Sequence, residues 1–393
     1  MLKTADEKDL SIEEQKEEIV IQVEEEIDQE ELKIIRSNPY DYIKNYFEEL
    51  FPYMGGRVME VLSLVPGSLV LPRFRDVNGK ETIARISYLL LSPPGTGKTS
   101  LSNYFSDFCL NPFQFEYITD SKLSSVLNKL NKVTIISSDV ARIFRDPFLA
   151  KLVENIIGDE GKLSRFTQRT KSVEEKKIDA VSYFAGTPAN LYSTISDGLI
   201  FRVCPHIVFH SEKEHEEILK RINNMIGNSN GNKIKRKEKV IKYYYQMLYK
   251  IQEGKGEINP IEGYVIPDYF RQEIEEKLIP LFVKSYENTN FEFNRELNQC
   301  YKYMVSHAFL NLFNRRITEG KMVLEDADLR VALNLSEKEI KIKTVILQCI
   351  NMISERRLKT LMDLDLYLKS YEKNGRKFPE IYYKILQTII RNR

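Results

Sequence analysis

The central part of the chain alternates between short apolar runs and longer segments with helical periodicity. Apolar runs suited to buried strands occur at 86–91, 133–136 and 178–185, and helical segments occur at 98–108 and 146–158. Short apolar runs alternating with helices are typical of strands that are covered on both faces. We therefore predict an α/β fold with a parallel sheet flanked by helices.

The flanking regions have a different pattern. Residues 1–37 are dominated by Glu and Asp, which predicts a flexible acidic extension; a marginal helix is the alternative, and the extension could contact a protein partner. Residues 40–76 are partly helical, with an apolar face formed by Ile43, Tyr46, Phe47 and Leu50. After about residue 212 the pattern is mostly helical and is interrupted by the Gly- and Asn-rich segment 227–232.

These patterns divide the chain into four parts. We predict the acidic extension at 1–37, a nucleotide-binding core at 38–228, a linker with a helical region at 229–343, and a C-terminal appendage at 344–393. The appendage is basic and has its own apolar positions, from Leu361 to Ile390. It is either a helical or winged-helix DNA-binding unit or an additional packing layer.

Composition narrows the class of protein. The 393 residues are 42% hydrophobic and 29% charged, which suits a globular protein of several domains. The net charge of +1 indicates no particular partner. The four cysteines lack the spacing of a zinc module or a disulfide framework, which fits a reducing compartment. Since no signal peptide or membrane-spanning run is found, we expect a cytoplasmic protein without a membrane partner.

The octapeptide Ser-Pro-Pro-Gly-Thr-Gly-Lys-Thr, at 92–99, follows the first apolar run directly. A strand leading into Gly-x-Gly-Lys-Thr and then a helix is typical of a loop that binds phosphates. We predict that this loop binds ATP, with Lys98 contacting the phosphates and the Thr99 hydroxyl binding Mg²⁺. The predicted nucleotide-binding residues are Pro94, Gly95, Thr96, Gly97, Lys98, Thr99 and Ser100. Ser92 stands where the pattern usually has glycine.

ATP hydrolysis also needs an acidic group for the metal or the attacking water. Asp139, after the second apolar run, is the candidate. The usual pattern has two acids at this point, but Ser138 precedes Asp139 here. Asp139 therefore either holds the metal or activates the water, and a helix N-cap is the alternative. The sequence predicts ATP binding and leaves the rate of hydrolysis open.

Two further polar residues complete the predicted catalytic set. Thr187, at the tip of the third strand, is the candidate sensor of the γ-phosphate, with Asn190 as the second choice and an ordinary turn as the alternative. Arg202 is the candidate cation for a γ-phosphate bound by a neighbouring subunit, and a surface salt bridge is the alternative.

The order of these features resembles the AAA+ ATPases and, more narrowly, the ATPase core of minichromosome-maintenance (MCM) helicases. The similarity extends over about residues 38–343. It rests on the run-up to the loop (53–57, 71–72, 78–80 and 86–91), on Val181–Pro188, on Ile200–Val203 with 207–209 and 214–219, and on Arg295–Ala308 with 323–328.

The resemblance implies an AAA+ P-loop parallel sheet flanked by helices, then an α-helical lid and a small helical or winged-helix C-terminal region. It implies that Arg202 is an arginine finger and Arg295 a second sensor, both acting on the nucleotide of a neighbouring subunit. That arrangement requires a homo-oligomeric ring, expected to be a hexamer. The chain departs from the family at Ser92, at Ser138 and at Thr187, where the family has asparagine.

A basic segment lies between the second and third strands. Residues 162–171 include Arg165, Arg169 and Lys171, and related motors place a pore hairpin at this point. We predict that these three residues contact the DNA backbone. The following Glu174 and Glu175 favour the alternative of a solvated hairpin. A second basic run, at 233–239, is predicted to be a solvated helix start, with DNA or a partner as the alternative.

The predicted function is that of an ATP-dependent ring motor on DNA, a helicase or translocase used in replication. Its catalytic residues would be Lys98, Asp139, Thr187, Arg202 and Arg295. The alternatives are an AAA+ protein remodeller or slow nucleotide switch, and a replication initiator that binds DNA through its C-terminal region.

Overall fold

The computed structural model describes the following residues: 27–51, 54, 56–75, 81–115, 131–144, 146–158, 162–167, 172–187, 197–200, 202–208, 216–217, 220, 231–286 and 293–354. The acidic residues before Ile27, the expected turn at 77–80, the alternative sensor Asn190 and the chain after Ser354 lie outside this part.

The strands and helices are numbered in chain order. The strands are β1 (Phe74–Arg75), β2 (Glu81–Thr82), β3 (Tyr88–Leu91), β4 (Pro112–Gln114), β5 (Lys132–Ser137), β6 (Lys162–Thr167), β7 (Ser172–Lys177), β8 (Asp179–Gly186), β9 (Cys204–Ile207), β10 (Gly263–Val265), β11 (Ile317–Thr318) and β12 (Lys321–Val323). The helices are α1 (Gln29–Ser37), α2 (Pro39–Leu50), α3 (Gly56–Leu62), α4 (Val65–Ser68), α5 (Lys98–Ser106), α6 (Val140–Phe144), α7 (Pro147–Ile157), α8 (Asp197–Ile200), α9 (Gly231–Gln252), α10 (Asp268–Tyr286), α11 (Phe293–Leu310) and α12 (Asp326–Ser354).

The predicted α/β architecture is confirmed. Strands β4, β5, β8, β3 and β9 form one parallel sheet in that order. All four residues of β3 are buried, as are all residues of β8 except its first. Helices α5, α6 and α7 pack against β8. The predicted segments occur as the strands β3, β5 and β8 and the helices α5 and α7, each within a few residues of the expected bounds.

The structure corrects the expectation of a solvated acidic tail for residues 29–37. Asp28 caps α1, because its Oδ1 atom accepts hydrogen bonds from the backbone N–H groups of Glu30 (3.0 Å) and Glu31 (3.3 Å). Leu32 and Ile35 are buried, and α1 packs against α2 and α9. This acidic segment is therefore an amphipathic helix, and the negative charges in its first turn are stabilised by the helix dipole.

Helix α2 has the predicted apolar face. Ile43, Tyr46 and Phe47 are buried and Leu50 is half-buried against the same core. Asn38 caps this helix, with its Oδ1 accepting from the N–H of Asp41.

The basic run at 233–239 lies at the start of α9, as expected, but it is not simply solvated. Arg236 forms an ion pair with Asp28, and Lys237 Nζ lies 2.6 Å from Glu49 Oε2. Further along α9, the hydroxyls of Tyr245 and Tyr249 donate to the carbonyl oxygens of Ser63 (2.7 Å) and Phe108 (3.1 Å). Helix α9 is therefore integrated into the core.

The expected boundary between residues 343 and 344 lies inside a continuous helix, since α12 runs from Asp326 to Ser354. Helix α12 packs against α10, α11 and β9. A small sheet of order β10-β12-β11 precedes it. Apolar positions continue through 343, including Ile342, Val345 and Ile346, and all three are buried. Hence no domain boundary occurs at this point.

The segment predicted to carry a hairpin forms one: β6 and β7 pair in antiparallel register. In the described part of the chain, no helix combines the length and the apolar character needed to span a membrane.

Candidate functional site

The register of the central sheet brings three predicted elements to one end of the strands. Leu91 of β3 pairs with Gly186 of β8, and Ser137 of β5 pairs with Phe184 of β8. The loop after β3, Asp139 after β5 and Thr187 after β8 therefore all follow the carboxyl ends of adjacent parallel strands. We call this end of the sheet, at the carboxyl ends of β3, β5 and β8, the loop edge. In open α/β sheets, ligands bind at this end of the strands.

The loop at 92–97 forms a tight turn into α5. Gly95 and Gly97 both have φ of 80°, a left-handed conformation that strains any other residue. Gly97 is the N-cap of α5, and its carbonyl accepts from the N–H of Leu101 at 2.9 Å. A turn of this shape presents backbone N–H groups and a positive helix end to an anion.

Lys98 bends back onto its own loop. Its Nζ donates to the carbonyl oxygens of Ser92 and Pro93, both at 2.7 Å. Burial lowers the pKa of the Lys98 ammonium to about 8, and the negative charge of Asp139 opposes that shift. The effect of Asp139 on Lys98 means that the carboxylate lies within electrostatic reach of the ammonium.

Ser92, the departure from the usual glycine, has a definite contact. Thr96 Oγ1 donates to the Pro93 carbonyl at 2.9 Å, and the Ser92 and Thr96 hydroxyl oxygens lie 2.6 Å apart. Since the Thr96 proton is used by Pro93, Ser92 is the donor in the second bond. Both hydroxyls are buried, so this chain of bonds holds the loop together internally. The sequence carries no signal for this contact.

Asp139 and Thr187 flank a close contact between α6 and β8. A Cβ on Gly186 would lie 2.9 Å from Val140 Cγ1, so a larger residue there would require Val140 to shift. Val140 directly follows Asp139, and Gly186 directly precedes Thr187. The Asp139 and Thr187 residues are both half-buried, between core and solvent.

The oxygen groups of this edge fit a magnesium–nucleotide complex. Thr99 and Ser100 are exposed in the first turn of α5, and Asp139 supplies a carboxylate near Lys98. Mg²⁺ usually takes one or two such protein ligands and completes its shell with phosphate and water. Within the described residues, no group of three or more His, Cys, Asp or Glu side chains could hold a metal by itself.

Arg202 lies at the opposite edge of the sheet. It lies two residues before Cys204, the first residue of β9, which pairs with Tyr88. The loop follows Leu91, which pairs with Ile207 at the other end of β9. The strand rise from Cys204 to the level of Leu91 is about 10 Å, and Arg202 lies beyond the start of that strand. Arg202 therefore lies at the opposite end of the strands from the loop of its own chain. We call this side the arginine edge.

The half-buried Arg202 side chain packs at the carboxyl end of α7. A Cβ built on Gly158 would lie 3.2 Å from its Nε atom and 3.0 Å from the Glu154 carbonyl oxygen. A cation at this end of a helix is stabilised by the helix dipole.

Arg295 lies near the same edge. It is half-buried in the first turn of α11, four residues before Gln299, whose Nε2 donates to Cys204 Sγ at 2.9 Å. The structure therefore brings Lys98, Asp139 and Thr187 together, and it separates Arg202 and Arg295 from them.

The predicted DNA-contacting residues are only partly located. Arg165 lies in β6, opposite Glu174 of β7 in the register of the hairpin. Arg169 and Lys171 lie outside the described residues.

Sequence comparisons add no assignment to this geometry. The chain matches no model of a known protein family, and no curated protein is significantly similar to it.

Proposed function

We propose that this chain is an ATP-dependent AAA+ ring motor acting on DNA, similar to the ATPase core of MCM helicases and used as a helicase or translocase in replication. The observation that carries the proposal is the separation of the candidate residues onto two edges of one parallel sheet. One edge has the phosphate-type loop, Asp139 and Thr187; the other has Arg202 and Arg295.

At the loop edge, the loop amides and Lys98 would bind the phosphates of ATP. Thr99 and Asp139 would hold Mg²⁺, which neutralises charge on the phosphates. Thr187 follows β8, which pairs with β3, and from this position it would contact the γ-phosphate as a sensor.

At the arginine edge, Arg202 and Arg295 would contact the nucleotide of a neighbouring subunit. Because the two edges of one subunit are different surfaces, their contact is heterologous. A heterologous contact with suitable rotation closes into a ring, and the family resemblance favours six subunits. Helices α10, α11 and α12 would form the lid over the nucleotide.

The proposed contact with DNA rests on the β6–β7 hairpin. This hairpin connects α7 to β8 and contains Arg165, with Arg169 and Lys171 in its connecting segment. Cations presented by identical hairpins around a ring would follow phosphates without reading bases.

A DNA-stimulated ATPase assay tests this proposal. Lys98→Ala and Arg202→Ala should each lower ATP hydrolysis by about 100-fold or more, since each removes a cation that stabilises the transferred phosphoryl group. Arg271→Ala is the matched control, because Arg271 is exposed and pairs with Glu275 of its own helix at 2.9 Å. Hydrolysis that is unchanged by Lys98→Ala and Arg202→Ala would refute the proposal.

A second candidate function is a slow nucleotide switch or protein remodeller. It is favoured by the single carboxylate after β5, where Ser138 and Asp139 occupy the two positions. DNA affinity separates the two functions, because a motor that grips the backbone must lose affinity steeply with added salt. A switch would show no salt-dependent binding of DNA, and Ser138→Asp should raise its slow hydrolysis.

A further inference from the structure

The two arginines of the arginine edge are connected through one buried contact. Gln299 on α11 donates its Nε2 proton to Cys204 Sγ, at the first residue of β9. Cys204 is fully buried and Gln299 nearly so. The Cys204 backbone N–H also donates to the Ser87 carbonyl at 2.7 Å, which anchors the strand start.

Each arginine lies close to this contact along the chain. Arg295 is four residues before Gln299, so both side chains lie on the same face of α11. Arg202 is two residues before Cys204. In either case, the chain between the arginine and the contact rises only about 6–7 Å.

A buried cluster of charges holds α11 against α12. Lys343 Nζ lies 2.8 Å from Glu296 Oε1 and 2.6 Å from Glu339 Oε1, and the Tyr303 hydroxyl donates to Glu339. The three charged side chains are at most 2% exposed. These charges are paired only while α11 and α12 keep their present register, because separating them would leave buried charges without partners.

The cluster and the contact lie on one face of α11. Glu296, Gln299 and Tyr303 follow the spacing of residues on the same helix face. A rotation or slide of α11 would therefore break the cluster and move Arg295 relative to β9 at the same time. Cys204 and Gln299 thus couple the position of α11 to the strand that follows Arg202.

We propose that Gln299 and Cys204 are positioning residues that set the spacing between Arg295 and Arg202, with Glu296, Lys343 and Glu339 holding α11 in register. This inference rests on the proposed function, because it gives both arginines one target, the nucleotide of a neighbouring subunit. A misplacement of about 1 Å of such groups can cost about 100-fold in rate.

Mixed assemblies test the inference. A Lys98→Ala subunit retains both arginines, and an Arg202→Ala/Arg295→Ala subunit retains an intact loop. Each is expected to be inactive alone, and a mixture should recover ATPase activity at interfaces that combine the intact halves. Cys204→Ala is then introduced into one kind of subunit at a time.

The expected result depends on which subunit carries the change. In the Lys98→Ala subunit, Cys204→Ala should lower the recovered activity by about tenfold or more, because that subunit supplies the arginines. In the subunit without arginines, it should change activity less than about twofold. Cys204→Ser, which retains an acceptor for Gln299, should preserve recovery in both. Gln299→Leu provides a second variant, with circular dichroism and the affinity for Mg·ATP as checks on folding.

Three outcomes overturn the inference. Equal loss in both kinds of subunit would mean that the contact serves folding alone. No loss in either would mean that the contact does not position the arginines. If the original mixture recovers no activity although Lys98→Ala abolishes ATP binding, the action of the arginines across subunits is wrong, and this inference fails with it.

Discussion

Replacing Lys343 with methionine should destabilise the protein strongly. Lys343 is 1% exposed and is the positive charge between Glu296 and Glu339, at 2.8 Å and 2.6 Å. Methionine has a similar length and suits an apolar interior. The variant therefore removes the charge with little loss of volume and leaves two buried carboxylates without their cation.

The size of the effect follows from burial. Removing one partner of a buried ion pair costs about 3–5 kcal/mol, because the remaining charge has lost its solvent and its partner. That corresponds to a lowering of the melting temperature by about 6–10 °C in a large domain. Burial already raises the pKa of Glu296 to about 7 in the intact cluster. Protonation can relieve the unpaired charge, so the destabilisation should be larger at pH 8 than at pH 6.

Lys341→Met is the matched control. Lys341 lies on the same helix, is 60% exposed, and pairs with Glu337 one turn away. Exposed pairs of this type contribute about 0.5 kcal/mol or less. Urea unfolding followed by circular dichroism measures both variants, and adding Glu296→Gln to Lys343→Met should restore part of the lost stability. A Lys343→Met variant whose stability lies within about 1 kcal/mol of Lys341→Met would show that the cluster does not behave as a buried ion pair.

Three further predictions concern the loop edge. The pKa of Lys98 is lowered to about 8 in the free protein and should rise when a triphosphate pairs with the ammonium. The affinity for Mg·ATP should therefore be full below pH 8 and should fall by up to about tenfold per pH unit as the pH rises through 8. Calorimetry in buffers of different ionisation enthalpy would detect the accompanying proton uptake. Gly95→Ala has open space around its Cβ but a φ of 80°, so we expect about 1–2 kcal/mol of strain in the loop, seen as weaker nucleotide binding, and an unchanged affinity would contradict that backbone conformation. Gly186→Ala places a Cβ 2.9 Å from Val140 Cγ1 and should lower the free energy of unfolding in urea by about 1–3 kcal/mol. Adding Val140→Ala should recover much of this loss, and purely additive effects of the two changes would contradict the contact.

The pattern of apolar residues was sufficient to predict three of the five strands of the central sheet, and the sequence did not predict β4 or β9. A buried parallel strand needs a short apolar run, and β3, β5 and β8 each have one, so their type and order could be read locally. The loop was equally local, because Gly95 and Gly97 are required by backbone conformation at their own positions.

Composition led to two wrong expectations about segments whose structure depends on packing. The acidic segment at 29–37 is a packed helix because Leu32 and Ile35 meet α2 and α9, and those partners are distant in sequence. The boundary expected after residue 343 does not exist, because the apolar face of α12 continues across it. A short sequence window does not contain the contacts of α1, whereas the continuation of α12 was present in the apolar positions on both sides of residue 343.

Local sequence was enough to identify the glycine-rich turn after β3 and the buried strands β3, β5 and β8, because both depend on local backbone conformation and periodicity. The folded chain alone shows that β8 lies between β5 and β3, that Arg202 lies at the far end of the strands from Lys98, and that a buried ion cluster links α11 to α12. Strand order and helix register arise from contacts between residues far apart in the chain, and the sum of those contacts is fixed only when the whole core is packed.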